Sequence, residues 1–142
     1  MQPEPGDLQL ELDSSPLAVR GALVEMTAYL RGRCPEEGLA VVEIVLAEAL
    51  NNIVEHAYVG GSGRITLCLR AQAGAVQCCI ADQGLPMPGG AAPSGRLRLA
   101  APGAALPEGG FGWHLIRSLS QDVDYRRISG RNYLSLRVDA GQ

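Results

Sequence analysis

Residues 64–72, RITLCLRAQ, and 75–82, AVQCCIAD, are both rich in β-branched and apolar side chains, and only a short turn at Gly74 separates them. Two strands joined by so short a connection can pair only antiparallel, because a parallel pair needs a crossover of a dozen or more residues. A second pair of the same kind, VDYRRIS and NYLSLRVD joined by Gly130-Arg131, closes the chain. Everything else must pack around these two hairpins.

The first third of the chain supplies helices. LQLELD at 8–13 alternates apolar and polar residues as a half-buried strand does. Ser14 or Ser15 then offers an N-cap, Pro16 fits a first helical turn, and a helix is expected from Pro16 to Arg33. Proline disfavours helical geometry in its predecessor, so Cys34-Pro35 breaks that helix, and Pro35 suits the N1 position of a second one running to Tyr58. Between Gly84 and Gly110 the chain is rich in proline, glycine and alanine and lacks periodicity, which makes it an expected functional loop. GWHLIRSLSQ follows as a third helix with Leu115, Ile116 and Leu119 as its apolar stripe.

The order β-α-α-β-β-loop-α-β-β, without internal repeats, implies an α+β fold in which one sheet carries three helices on one face. With 142 residues, 46% of them hydrophobic, a single domain is expected. The formal charge of −3 comes without any cluster of basic residues, which argues against nucleic acid or an anionic membrane as a partner. The N-terminus has no basic region followed by an apolar run and no stretch is long enough to span a bilayer, so a cytoplasmic location is expected. Cys34, Cys68, Cys78 and Cys79 form no metal-binding spacing with His56 or His114, and are expected to be buried free thiols.

Three stretches carry chemistry. In the second helix Leu39, Val42, Leu46, Leu50, Ile53 and Ala57 share one arc and account for the core face. Glu48, Asn52 and His56 form a row off that face, flanked by Asn51 and Glu55. A solvated face would explain the row. Val41, Ile44 and Val45 upstream, and the cost of about 0.5 kcal/mol for asparagine in a helix interior, argue for a function. A carboxylate and an amide oxygen one turn apart suit a general base and a ligand for a hard cation.

Asp82-Gln83-Gly84, followed by Pro86, ends the second strand of the first hairpin. It reads either as a plain turn or as a carboxylate held at a strand end, where it could accept a hydrogen bond from the exocyclic amine of adenine with Gly84 letting the ligand approach. Gly109, Gly110 and Gly112 precede the third helix, where free backbone N–H groups make either an anion site or a plain cap. There is no Walker A loop, and the chain has no lysine to serve one.

Taken in order, LAEALNNIVEHAY, ADQGLPMP and EGGFGWHLI resemble the N, G1 and G2 boxes of the GHKL ATPases, which include sensor histidine kinases and DNA gyrase. With the β-α-α lead-in they look like the bacterial anti-sigma factor serine-protein kinases of partner-switching systems, over residues 8–138.

The resemblance implies a GHKL-type sandwich with a mixed, mostly antiparallel sheet, and an ATP lid over residues 85–109. It implies Glu48 as general base and Asn52 as the Mg²⁺ ligand. ATP would be held by Asn52, His56, Asp82, Gly84, Pro86, Gly110, Phe111 and Gly112. Glu108 stands where a basic residue would help to neutralise phosphate, which leaves Arg96 or Arg98 of the lid as the nearest substitutes; both are expected to contact phosphate weakly or not at all at rest.

The implied partners are a STAS-domain anti-sigma factor antagonist, phosphorylated on Ser or Thr, a sigma factor, and a second copy of the chain in a homodimer. The alternative is a module that binds ATP and sequesters a partner without kinase activity.

Overall fold

A computed structural model describes residues 1–58, 61–95 and 110–141, with the side chain of Phe111 outside the described set. The elements run β1 (Leu8–Asp13), α1 (Pro16–Leu30), α2 (Glu36–Asn52), a π-helical turn (Ile53–Ala57), β2 (Arg64–Gln72), β3 (Ala75–Asp82), a short 3₁₀ turn (Pro88–Gly90), α3 (Gly110–Leu119), β4 (Gln121–Ile128) and β5 (Arg131–Asp139). This is the expected α+β fold of three helices and one five-stranded sheet, ordered β1-β2-β3-β5-β4. All four strand pairings of the sheet are antiparallel, so the expectation of a mixed sheet is corrected.

The sheet buries one face. Ile65, Leu67 and Leu69 of β2, Val76, Cys78 and Ile80 of β3, and Leu134, Leu136 and Val138 of β5 point into the core. Val19, Met26 and Leu30 of α1 and Val42, Leu46 and Leu50 of α2 meet them there. Alternation of period two in the strands and a wider helical arc in α2 account for this division. Among the described residues no helix is long and apolar enough to cross a membrane.

Local chemistry adjusts several boundaries. Ser15 is the N-cap of α1, its Oγ accepting from Ala18 N at 3.1 Å. That helix stops at Leu30 and not at Arg33, because Arg31 turns to extended ψ and Gly32 takes φ +87°. Pro35 is the N-cap of α2 and not its N1 residue, so the helix begins one residue later than expected, and Glu36 and Glu37 complement the positive end of the helix dipole.

The turn of the second hairpin is Ser129-Gly130, with both φ values positive, so Arg131 belongs to β5; Ala73-Gly74 makes the same kind of turn in the first. Among the described side chains of α3 the buried ones are Trp113 and Ile116, three apart, while Leu115 and Leu119 are only half-buried. The expected stripe is thus rotated toward Trp113. All four cysteines are free thiols, but only Cys78 is fully buried, and burial pushes its thiol well above the ordinary range; Cys34, Cys68 and Cys79 are half-buried.

Gly38 lets α2 pack against the end of the sheet. A Cβ there would lie 2.2 Å from the carbonyl oxygen of Ala140, and Ala140 is pinned by its own bond to Gly74 O at 2.8 Å. Alanine gains about 1 kcal/mol of helix propensity over glycine. Overlap with fixed backbone costs about 1–3 kcal/mol. Gly38→Ala is therefore expected to be net destabilising by up to about 2 kcal/mol, read as a lower urea midpoint at unchanged slope.

Candidate nucleotide site

α2 ends in a way that α-helical periodicity does not foretell. From Ile53 the backbone widens into a π turn, with Tyr58 N donating to Ile53 O at 3.3 Å. The expected α-helix to Tyr58 is therefore corrected: α spacing holds from Glu48 to Asn52, and His56 stands on the wider turn. Such π turns are frequent at functional sites.

This turn has a partner outside the helix. Ala57 O accepts from Leu85 N at 2.8 Å, so the segment after Asp82 docks on the helix end. A Cβ on Gly84 would fall 2.4 Å from Ala57 O and 2.7 Å from Ala57 Cβ. Gly84 thus permits a close approach of protein backbone to protein backbone, where the sequence suggested an approach of ligand.

A cavity of about 400 Å³ opens between α2, the start of the 85–95 segment, α3 and the sheet. Asn52 and His56 reach it from the helix end, Asp82 from β3, Pro86 and Met87 from the loop, and Trp113 from α3. Its size and largely apolar lining with few polar groups are those of a small-molecule site. Asp82 is only 6% exposed. Its Oδ1 accepts from Gly84 N and from Asn132 Nδ2, both at 2.8 Å, which leaves Oδ2 as the oxygen for a ligand. Asn51 is exposed and lies outside the cavity lining, whereas Asn52 is half-buried and part of it.

Glu48 stands one turn before Asn52 and faces the start of α3: a Cβ on Gly112 would lie 2.9 Å from its Oε2. Gly110 is the first residue of α3, whose N-terminal N–H groups and dipole favour an anion. The side chain of Phe111, and Arg96 and Arg98 with the rest of 96–109, lie outside the described residues. The described beginning of the expected lid is fastened to α3 and β4. Arg117 donates to Pro93 O at 3.0 Å and Ala92 O at 3.3 Å, His114 Nδ1 lies 3.2 Å from Gly95 O, and Met87 N donates to Tyr125 Oη at 3.0 Å.

Three residues of the site escaped the motif reading. Asn132 and Tyr125 line the cavity, and Tyr58 holds the Asp82 turn, its Oη accepting from Gln83 N at 2.7 Å and donating to Arg64 O at 2.8 Å. For Asn132 the signal was present: in RNYLSLRVD it shares the inward alternation of Leu134, Leu136 and Val138. An asparagine on a core-facing register needs partners and so marks a polar network.

The profile of the histidine kinase-like ATPase domain family matches residues 12–138, and the chain belongs to that family. Within it, the chain is similar to serine-protein kinase RsbW of Bacillus mycoides (strain KBAB4), at 30% identity over 95 residues, covering 66% of this chain and 59% of that protein. RsbW of Bacillus cereus (strain B4264) matches with the same identity and coverage. The chain thus spans less than two thirds of the length of these curated relatives. The solved structure of the RsbU and RsbW domains of Rv1364c from Mycobacterium tuberculosis shares the fold, with a TM-score of 0.62 at 17% identity over 98% of this chain and 34% of that one.

Proposed function

We propose that the chain is an ATP-dependent protein serine/threonine kinase and anti-sigma factor, acting on a STAS-domain antagonist. The observation that carries this reading is the meeting of Asn52 and Asp82 in one apolar cavity, beside a glutamate that faces a glycine-rich helix start. Asp82 suits the exocyclic amine of adenine, and Pro86 and Met87 give the base an apolar wall. The donor set fits Mg²⁺ as well, since that ion takes one or two protein oxygens and completes its shell with phosphate and water. Asn52 would supply the protein oxygen, and Mg²⁺ when bound would neutralise phosphate charge.

Glu48 acts as the general base in this reading. It takes the proton of the acceptor hydroxyl as that oxygen bonds to the γ-phosphorus and the bond from phosphorus to the ADP oxygen breaks. The N–H groups at Gly110 and Gly112 would hold the phosphate charge, which is most of what phosphoryl transfer asks of a protein. Residues 85–109 serve as the lid, and the chain works as a homodimer with the sigma factor as its second partner. The phosphorylated antagonist carries about 1.5–2 added negative charges, which weaken its hold on a chain of net charge −3 and release it.

Mg²⁺-ATP binding tests the site. Titration calorimetry should show saturable binding to the wild type and a loss of at least roughly 10–100-fold in Asn52→Ala, because loss of a group that only supports a metal ligand already costs that much and Asn52 would be the ligand itself. Asn51→Ala, one residue away and outside the cavity, should bind as the wild type does. Equal affinities in all three proteins would contradict the assignment of Asn52.

A further inference from the structure

We propose that Asn132 is a positioning residue for purine discrimination, fixing the carboxylate of Asp82 through an amide whose every donor and acceptor is engaged. The inference rests on the reading of the cavity as an ATP site and adds the residue that aims its base-reading group. Asn132 and Asp82 are directly opposed on β5 and β3, and both are nearly inaccessible, at 4% and 6% exposure. Asn132 Nδ2 donates to Asp82 Oδ1 at 2.8 Å and to Leu85 O at 2.9 Å. Its Oδ1 accepts from Tyr125 Oη and from Arg127 Nη1, the latter at 2.9 Å.

This pattern leaves the amide a single orientation, because a flipped amide would place its oxygen on a carboxylate and a carbonyl. Fixing Oδ1 of Asp82 from Asn132 and Gly84 N fixes where Oδ2 points. Oδ2 can accept from an amino group, as adenine presents, and would meet a carbonyl oxygen in guanine. Tyr125 extends the network, since its Oη also accepts from Met87 N. The base-reading carboxylate and the first residues of the loop above the cavity are therefore set by one amide.

The test is the ratio of Mg²⁺-ATP to Mg²⁺-GTP affinity, measured by titration calorimetry on the full chain. General loosening of the fold weakens both nucleotides alike and leaves the ratio unmoved, so the ratio isolates positioning. The wild type should prefer ATP. Asn132→Asp keeps the shape but replaces both donations with a second carboxylate beside Asp82, and should lower the preference by roughly 10–100-fold. Tyr125→Phe removes one bond to Asn132 and leaves the Arg127 bond, and should lower it by roughly 2–10-fold. It also decides the matter if Asn132→Asp does not fold. A folded Asn132→Asp, or in its absence Tyr125→Phe, that keeps the wild-type ratio overturns the proposal. A wild type that binds ATP and GTP equally does the same. A wild type that binds neither nucleotide overturns the ATP reading along with it.

Discussion

Glu48→Gln should abolish phosphotransfer while leaving nucleotide affinity within about twofold of the wild type. A positioned general base contributes roughly 10²–10⁴-fold to rate, and glutamine keeps the shape of glutamate without its basicity. The carboxylate is absent from the lining of the cavity in which Asn52 and Asp82 meet, so its loss should not empty the nucleotide site. Its place against Gly112 supplies a second handle. Gly112→Ala puts a methyl group 2.9 Å from Glu48 Oε2, a conflict that a flexible side chain relieves by moving. Transfer should fall in that variant with the charge of Glu48 intact. Single-turnover rates of label transfer, paired with calorimetric ATP affinities, separate the two effects. A Glu48→Gln protein with wild-type transfer would remove the base from the account.

The second large effect is expected at Gly84. The Cβ of Gly84→Ala would meet the carbonyl oxygen of Ala57 at 2.4 Å, its carbonyl carbon at 2.7 Å and its side chain at 2.7 Å. Nothing in that set is the far end of a flexible side chain, so the turn itself must move. Moving it strains the bond from Leu85 N to Ala57 O and carries Pro86 and Met87 off the cavity. Overpacking of this kind costs about 1–3 kcal/mol, and the same displacement should cut ATP affinity. Urea denaturation and calorimetry on Gly84→Ala check both. Wild-type stability would show that the turn is not docked on α2; wild-type affinity would show that it does not wall the site.

Much of this was legible in the chain because the relevant physics is local. Two-residue turns dictate antiparallel hairpins, Ser15 and Pro16 start a helix, Pro35 marks the start of the next, and alternation in β2 and β3 assigns the buried face. The placement of Asn52 and Asp82 on one cavity followed from elements that were correctly located.

What escaped depends on contacts between distant segments. The π turn at Ile53–Ala57 carries the contact with Leu85, and helical periodicity does not report a partner about thirty residues downstream. The close neighbour of Gly84 is Ala57, 27 positions earlier, so the sequence around Gly84 suggests only an approach of ligand. Asn132 sits 50 positions from the carboxylate it holds, and only the β3–β5 register brings them together. Its inward place among Leu134, Leu136 and Val138 was the one local sign.

The most direct measurement incubates the chain with γ-labelled ATP, Mg²⁺ and a purified STAS-domain antagonist that binds it, and maps the label by mass spectrometry. The account predicts label on a serine or threonine of the antagonist, lost in Glu48→Gln under conditions where that variant still binds ATP. A wild type that binds both ATP and the antagonist yet transfers no label would contradict the kinase and leave a nucleotide-dependent sequestering module in its place.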